Sequence, residues 1–242
     1  MAVLSIKYRP PFFIPGGSLT YLLGTDYLGR DVLSRIILGG RVSLAISFAA
    51  IFMGGFVGTL LGLAAGFFGN TADKIIMRLG DAMMSIPGIL LALLLVITVG
   101  SGFASVVLAI AFSLWPRFTK IIRGQTLSLK GKNFIVQARV MGASNLRIIF
   151  RHLLPNQMNT LIVLLVQVIG SSILMEAGLS FLGLSVQPPN PTWGGMVTDG
   201  KNTFQLAWWS SVFPALAIVI TVIAFNLFGE WVKHRLDPRG GR

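Results

Sequence analysis

Three sets of residues in this 242-residue chain have types and spacings that could do chemistry. The segment 195–201 reads GMVTDGK and spells GxxxxGK, the opening of a phosphate-binding loop. Magnesium coordination there needs Ser or Thr next, and Asn202 stands in that place. The preceding residues are proline-rich rather than strand-like, so no nucleotide site is expected and ATP hydrolysis must come from another chain. Glu176 is the one acid inside a long apolar run. A carboxylate within the membrane marks a functional position by default. It could pair with a base on a neighbouring helix, line a pathway or relay protons. His152 and His234 are the only histidines, with no second ligand nearby, and there is no cysteine. No metal, cofactor, disulfide or thiol nucleophile is therefore expected.

Composition narrows the class. Apolar residues make up 54% of the chain and charged residues 12%, about half the share of a soluble domain. Uncharged runs cover 42–72, 82–116, 152–175, 177–198 and 202–229. A spanning helix needs about 20 apolar residues, so the chain reads as an all-α polytopic membrane protein. The net charge of +12 could suit nucleic acid, but the cations lie in segments flanking the apolar runs. They orient the protein in the lipid bilayer, and no nucleic-acid partner is expected.

The elements follow from the pattern. Pro10, Pro11, Pro15, Gly16 and Gly17 exclude a regular element near the start. Asp31 is positioned to cap a short helix at the membrane surface, with Val32, Ile36 and Ile37 on one face. Val42 to Phe68 is the first span. Its Gly54, Gly58, Gly62 and Gly66 share one face and admit a close helix neighbour, either within the chain or from a second subunit. Residues 69–81 are polar. The run 82–116 exceeds one crossing, and Gly100, Ser101 and Gly102 supply a turn, giving a hairpin of two spans. Thr160 to Gly183 and Ser210 to Trp231 complete about five. Gln187 to Asn202 reads as a loop. Trp115, Trp193, Trp208, Trp209 and Trp231 fall near span ends, as in an aromatic belt.

The segment from Arg117 to Pro155 carries Arg117, Lys120, Arg123, Lys130, Lys132, Arg139, Arg147 and Arg151 and no acid. Basic segments between spans face the cytoplasm. With 117–155 inside, 69–81 and the tail with Lys233, Arg235, Arg239 and Arg242 are inside, while 185–208 and 1–41 are outside. A single span over 82–116 would place 1–41 inside instead. The resulting domains are an extracytoplasmic or interfacial segment 1–41, a transmembrane domain 42–231 with a cytoplasmic loop 117–155, and a cytoplasmic tail 232–242. Within the loop, Leu146, Ile149, Phe150, Leu153 and Leu154 make one helical stripe ending near Pro155, and Ile135, Ala138 and Met141 make a shorter one. Gly142, Ala143 and Ser144 join the two short helices. Ser144 or Asn145 can cap the second.

ARVMGASNLRIIFRHLLPN resembles the cytoplasmic coupling loop of ABC-importer permeases. That loop is written EAA, three residues, Gly, nine residues, Ile-x-Leu-Pro. Ala138, Gly142, Leu154 and Pro155 match it; Val136, Gln137 and His152 depart from it. LGTDYLGRDVLSRIILGGRVSL, EAGLSFLGLSVQPPNPTWGGM and the closing LDPR are similar to the dipeptide/oligopeptide/nickel subfamily, C-type subunit. The resemblance implies a type I importer permease in the bacterial inner membrane, without catalytic residues. It further implies a second permease, one or two ATP-binding cassette ATPase subunits and an extracytoplasmic solute-binding protein. Ala138, Gly142, Ala143 and Ser144 would form the bend that docks on the ATPase, with Leu154 and Pro155 anchoring it. The loop's cations would meet acidic patches on the ATPase or lipid headgroups. The solute would be a peptide or a related molecule such as a nickel chelate. Such permeases have a sixth span before the GTDYLGRD motif, which this chain is expected to lack. A stand-alone secondary transporter, a channel or a membrane scaffold is the alternative. The first two would need more polar groups within the spans.

Overall fold

The computed structural model describes residues 6–236. Arg239, Arg242 and all of LDPR after Leu236 lie outside them. Among the described residues the regular elements are helical: α1 (Val32–Phe68), α2 (Asn70–Met84), α3 (Gly88–Val99), α4 (Phe103–Lys130), α5 (Asn133–Val140), α6 (Asn145–Ile148), a π turn (Ile149–Leu153), α7 (Leu154–Gln167), α8 (Ile169–Phe181), α9 (Trp193–Lys201) and α10 (Trp209–Leu236). Four helical runs are long and apolar enough to cross a bilayer: α1, α4, Asn145–Phe181 and α10. Helices α2 and α3, bent by 92°, make a fifth if they count as one broken span. The total is then the expected five, and otherwise four.

Asp31 does cap a helix, accepting from Ser34 N at 2.8 Å. That helix is not a separate surface element, however. It continues without a break to Phe68. Gly39 and Gly40 would weaken an exposed helix by about 1 kcal/mol each. Here both lie against Trp193: its ring occupies the space a Gly40 side chain would take, and a Cβ at Gly39 would touch it at an ordinary contact distance. The Trp193 indole N–H donates to Ile36 O at 2.8 Å.

Helix α4 lies along the face of α1 that carries Gly54, Gly58, Gly62 and Gly66. A Cβ at Gly54, Gly58 or Gly62 would stand 2.8, 2.5 or 2.8 Å from a carbonyl oxygen of α4, and one at Gly66 would stand 2.6 Å from Thr126 Cβ. The two backbones therefore touch, which only glycine permits.

The hairpin turn falls at Gly100 to Gly102, with Gly100 at φ +100°. Its first arm is not a full span. With 12 residues, α3 rises about 18 Å against a hydrocarbon thickness of about 30 Å. It takes over from α2 at Pro87, where the chain cannot stay helical. The polar stretch 69–81 is likewise part of a helix rather than a loop. Asp73 and Asp81 of α2 pair with α4: Arg123 Nη2 donates to Asp73 Oδ2 at 2.6 Å, and Lys120 Nζ lies 2.6 Å from Asp81 Oδ1. With these partners α4 remains helical as far as Lys130. The segment expected as one loop over 117–155 thus begins as the second half of α4.

The expected loop 187–202 is also shorter. Helix α9 starts at Trp193, where Thr192 Oγ1 accepts from Gly195 N at 3.1 Å. Its glycines hold it against neighbours: Gly194 on the Ala177 carbonyl and Gly200 on Ser210 and Ser211. The GxxxxGK segment is this helix, not a strand–loop–helix.

Three of the five tryptophans are not belt residues. Trp115, Trp193 and Trp209 are buried. Trp209 donates to Thr25 O at 3.0 Å and ties residues 6–31 to the start of α10. That segment and α9 therefore share one end of the bundle.

Candidate functional site: the elbow between α5 and α6

The elbow is built by backbone hydrogen bonds at the end of α5. Gly142 N–H donates to Arg139 O and Ala143 N–H to Ala138 O, both at 3.0 Å. This is the Schellman closure, which needs a left-handed residue at its first non-helical position. Gly142 supplies it with φ +79°. The closure brings Ala143 back to Ala138, so both are small. Ser144 then caps α6, accepting from Arg147 N at 3.4 Å.

A small core holds the elbow rigid. Ile135 of α5, Ile148 of α6 and Ile149 and Leu153 of the π turn are buried against Leu63 and Phe67 of α1 and Ile122 of α4. Beside it, Gln157 Nε2 donates to Thr126 Oγ1 at 3.1 Å, joining α7 to α4 in a fully buried contact. The expected stripe is thereby corrected. Leu146 and Phe150 are exposed, and Ile148 takes their place inward. The cause is the π turn just before Pro155, whose ring would clash with the carbonyl four residues back in an α-helix. The wider turn accommodates the ring and rotates the stripe. The second short helix consequently does not end at Pro155. It continues into α7 with Leu154 half-buried and Pro155 in the first turn.

Outward the elbow is bare. Val136, Val140, Met141 and Leu146 are 51, 82, 86 and 65% exposed. A Cβ at Gly142 would meet nothing within 4 Å. Of the eight cations in 117–155, four already have partners in the chain: Lys120 and Arg123 on α2, and Lys130 and Arg139 over the Phe67 ring at 5.7 and 5.9 Å. The other four, Arg117, Lys132, Arg147 and Arg151, are exposed, and Arg147 and Arg151 follow directly on the elbow.

Glu176 lies far from the elbow, near the opposite end of the bundle. It is fully buried. Ser180 and Ser185 donate to its Oε1 at 2.6 and 3.2 Å, and Thr192 donates to Ser180 Oγ at 3.1 Å. Its Oε2 has no hydrogen-bond partner among the described residues. The groups it meets are hydroxyls, not the base a paired carboxylate would have. These hydroxyls line a cavity of about 210 Å³ under the loop 182–192, with Arg35 and Asp199 on its rim. Arg35 also bonds Asp26 at 2.6 Å, and Arg30 bonds Asp26 at 2.7 Å, so four charges knit residues 26–35 to α9. Neither this network nor the Asp73–Arg123 pair is visible in the spacing of the sequence. The partners lie 164 and 50 positions apart.

A bundle of long apolar helices with a closely packed glycine seam and a bare apolar elbow at one end is an integral membrane protein. The comparisons identify the family. Residues 58–241 match the model of the binding-protein-dependent transport system inner membrane component. The glutathione transport system permease protein GsiD of Pectobacterium atrosepticum is 46% identical over 93% of this chain and 74% of its own length. The protein of that name from Escherichia coli O6:K15:H31 gives the same values. The fold is shared with a chain of the MetNI methionine ABC transporter in an inward-facing conformation. Its TM-score is 0.66 at 17% identity, over 85% of this chain and 97% of that one. The chain belongs to the family of binding-protein-dependent inner-membrane components: it is a permease component of an ABC importer, multi-pass in the bacterial inner membrane.

Proposed function

We propose that this permease conducts a peptide-class solute and takes its drive from a separate ATPase that grips the elbow at Ala138, Gly142, Ala143 and Ser144. The bare tip formed by Val136, Val140, Met141 and Leu146 carries this reading. A rigid apolar surface that the chain leaves uncovered suits a protein groove, and water is a poor substitute. Leu154 and Pro155 anchor the tip to the long helical run behind it. A second permease completes the pathway, and an extracytoplasmic binding protein delivers the solute. The elbow then faces the cytoplasm, while residues 6–31 and α9 face outward. The relatives' name favours glutathione or another small peptide over a nickel chelate.

The test is co-purification of the ATPase with this chain. Val140→Asp combined with Met141→Asp changes only exposed side chains, so the permease stays in the membrane while the ATPase is lost. Gly142→Trp finds open space for its side chain but strains the left-handed backbone at φ +79°, so it deforms the elbow itself and gives the same loss. Wild-type ATPase retention in both variants sinks the docking. Uptake of labelled glutathione against a labelled dipeptide by the intact system sorts the solutes.

A further inference from the structure

Residues 11–22 form a closed loop with an apolar exterior. Its neck is pinned by Thr25 N–H to Arg9 O at 2.9 Å, by Arg9 N–H to Thr25 Oγ1 at 2.9 Å and by Phe12 N–H to Leu22 O at 3.3 Å. Trp209 holds the same Thr25 from α10. The loop is thus fixed to the end of a spanning helix. It directs Phe12, Phe13 and Leu19 outward at 52, 55 and 79% exposure.

These side chains continue an apolar surface. Phe13 meets Phe213 edge to face at 6.5 Å, and Trp208 lies 5.9 Å from the same ring. Phe213 stands in the first turns of α10, above an exposed stripe of Leu216, Ile220, Ile223 and Leu227. Of the spanning helices α10 is the least covered, with 22% of its apolar window buried. Lipid is the medium for such a surface. The loop's apolar side chains therefore sit where α10 leaves the hydrocarbon, the depth at which aromatic residues collect. The charge agrees. From 6 to 25 the charged residues are Lys7 and Arg9, with no acid.

We propose that this loop is a membrane-surface anchor. Phe12, Phe13 and Leu19 insert among the lipids beside α10 at the end of the bundle away from the elbow, and Lys7 and Arg9 meet anionic phospholipid headgroups. The anchor rests on the spanning fold and not on ATPase docking, so either can fail without the other.

The chain has no cysteine, so Phe13→Cys and Leu19→Cys each accept a single nitroxide label. The labelled subunit, assembled with cysteine-free partner subunits, is reconstituted in vesicles of phosphatidylethanolamine and phosphatidylglycerol. Collision rates with oxygen and with water-soluble chromium oxalate are read by power saturation. Labels at Gln187→Cys in the exposed loop and Ile220→Cys in α10 set the aqueous and lipid limits. The oxygen-to-chromium ratio at 13 and 19 is expected several-fold above that at 187, at a depth of about 5–10 Å. A ratio equal to that at 187 overturns the anchor. Labels shielded from both reagents overturn it too, since a protein surface then covers the loop. Replacing phosphatidylglycerol with phosphatidylcholine is expected to lower the ratio, and an unchanged ratio overturns the anionic preference.

Discussion

Gly58→Ala is the sharpest perturbation of the lever that carries the elbow. Its new methyl would stand 2.5 Å from Trp115 O and 2.6 Å from Phe118 Cβ. Carbon and carbonyl oxygen approach comfortably at about 3.3 Å, so α1 and α4 must separate by about 0.8 Å. A gap of that size forfeits a quarter to a half of each dispersion contact along the seam. It also stretches the 3.1 Å contact between the Thr119 hydroxyl and Gly58 O. Overpacking costs about 1–3 kcal/mol, and the better helix propensity of alanine returns up to about 1 kcal/mol. With the full return subtracted, the net expectation is a loss of about 0–2 kcal/mol. Gly124→Ala in α4 is the control, because a Cβ there meets nothing within 4 Å. It is expected to be neutral or slightly stabilising. Titration of the purified subunit with SDS in mixed micelles reads both unfolding free energies. Equal shifts of the same sign in the two variants would refute the claim that the seam is closed by backbone contact.

Other perturbations test single contacts. Asp73→Arg or Arg123→Asp alone weakens the junction of α2 and α4 by about 1 kcal/mol or less, since the pair is partly exposed; the double exchange restores it in a double-mutant cycle. Ser180→Ala removes the 2.6 Å bond to Glu176 Oε1 and costs about 1–3 kcal/mol, read as faster amide exchange over 182–192. Glu176→Gln keeps an acceptor for Ser180 and Ser185 and leaves that exchange unchanged. Trp209→Phe loses the indole bond to Thr25 O, about 1 kcal/mol, and raises tryptic cleavage after Lys7.

What the sequence makes legible is local. Gly142 flanked by Ala138, Ala143 and Ser144 encodes a Schellman closure followed by a cap, because those interactions span five residues or fewer. The glycine face of α1 is legible for the same reason: a spacing of four needs no knowledge of what meets it. Its partner α4 is not legible, nor is the pairing of Asp73 with Arg123, since both depend on how the helices cross. The π turn escapes because Pro155 signals a disturbed helix without saying whether the helix stops or widens. Helix α9 escapes because Gly194, Gly195 and Gly200 read as loop residues until their close neighbours are known. Helix α1 starts earlier than its hydropathy suggests because Trp193, from a distant segment, covers Gly39 and Gly40.

The placement of the two unusual sites has a mechanical consequence for the docking proposal. From Asn145 to Phe181 the chain is one helical run, about 55 Å long at 1.5 Å per residue. One end continues directly from the elbow; the other carries Glu176 and its hydroxyls under the loop 182–192. A rod of that kind cannot absorb a displacement by folding locally, except at its π turn and at the break beside Val168. Both breaks are backed by packing: Leu153 lies in the core below the elbow, and Val168 lies fully buried in the main core. A partner that pulls on Val140 and Met141 therefore moves α8 as well, and the contacts it works against are the bonds from Ser180 and Ser185 to Glu176. Those bonds have weak support, with Oε2 unpartnered and an adjoining cavity. On the docking proposal, motion at the elbow arrives at the outer end of the rod beside these bonds.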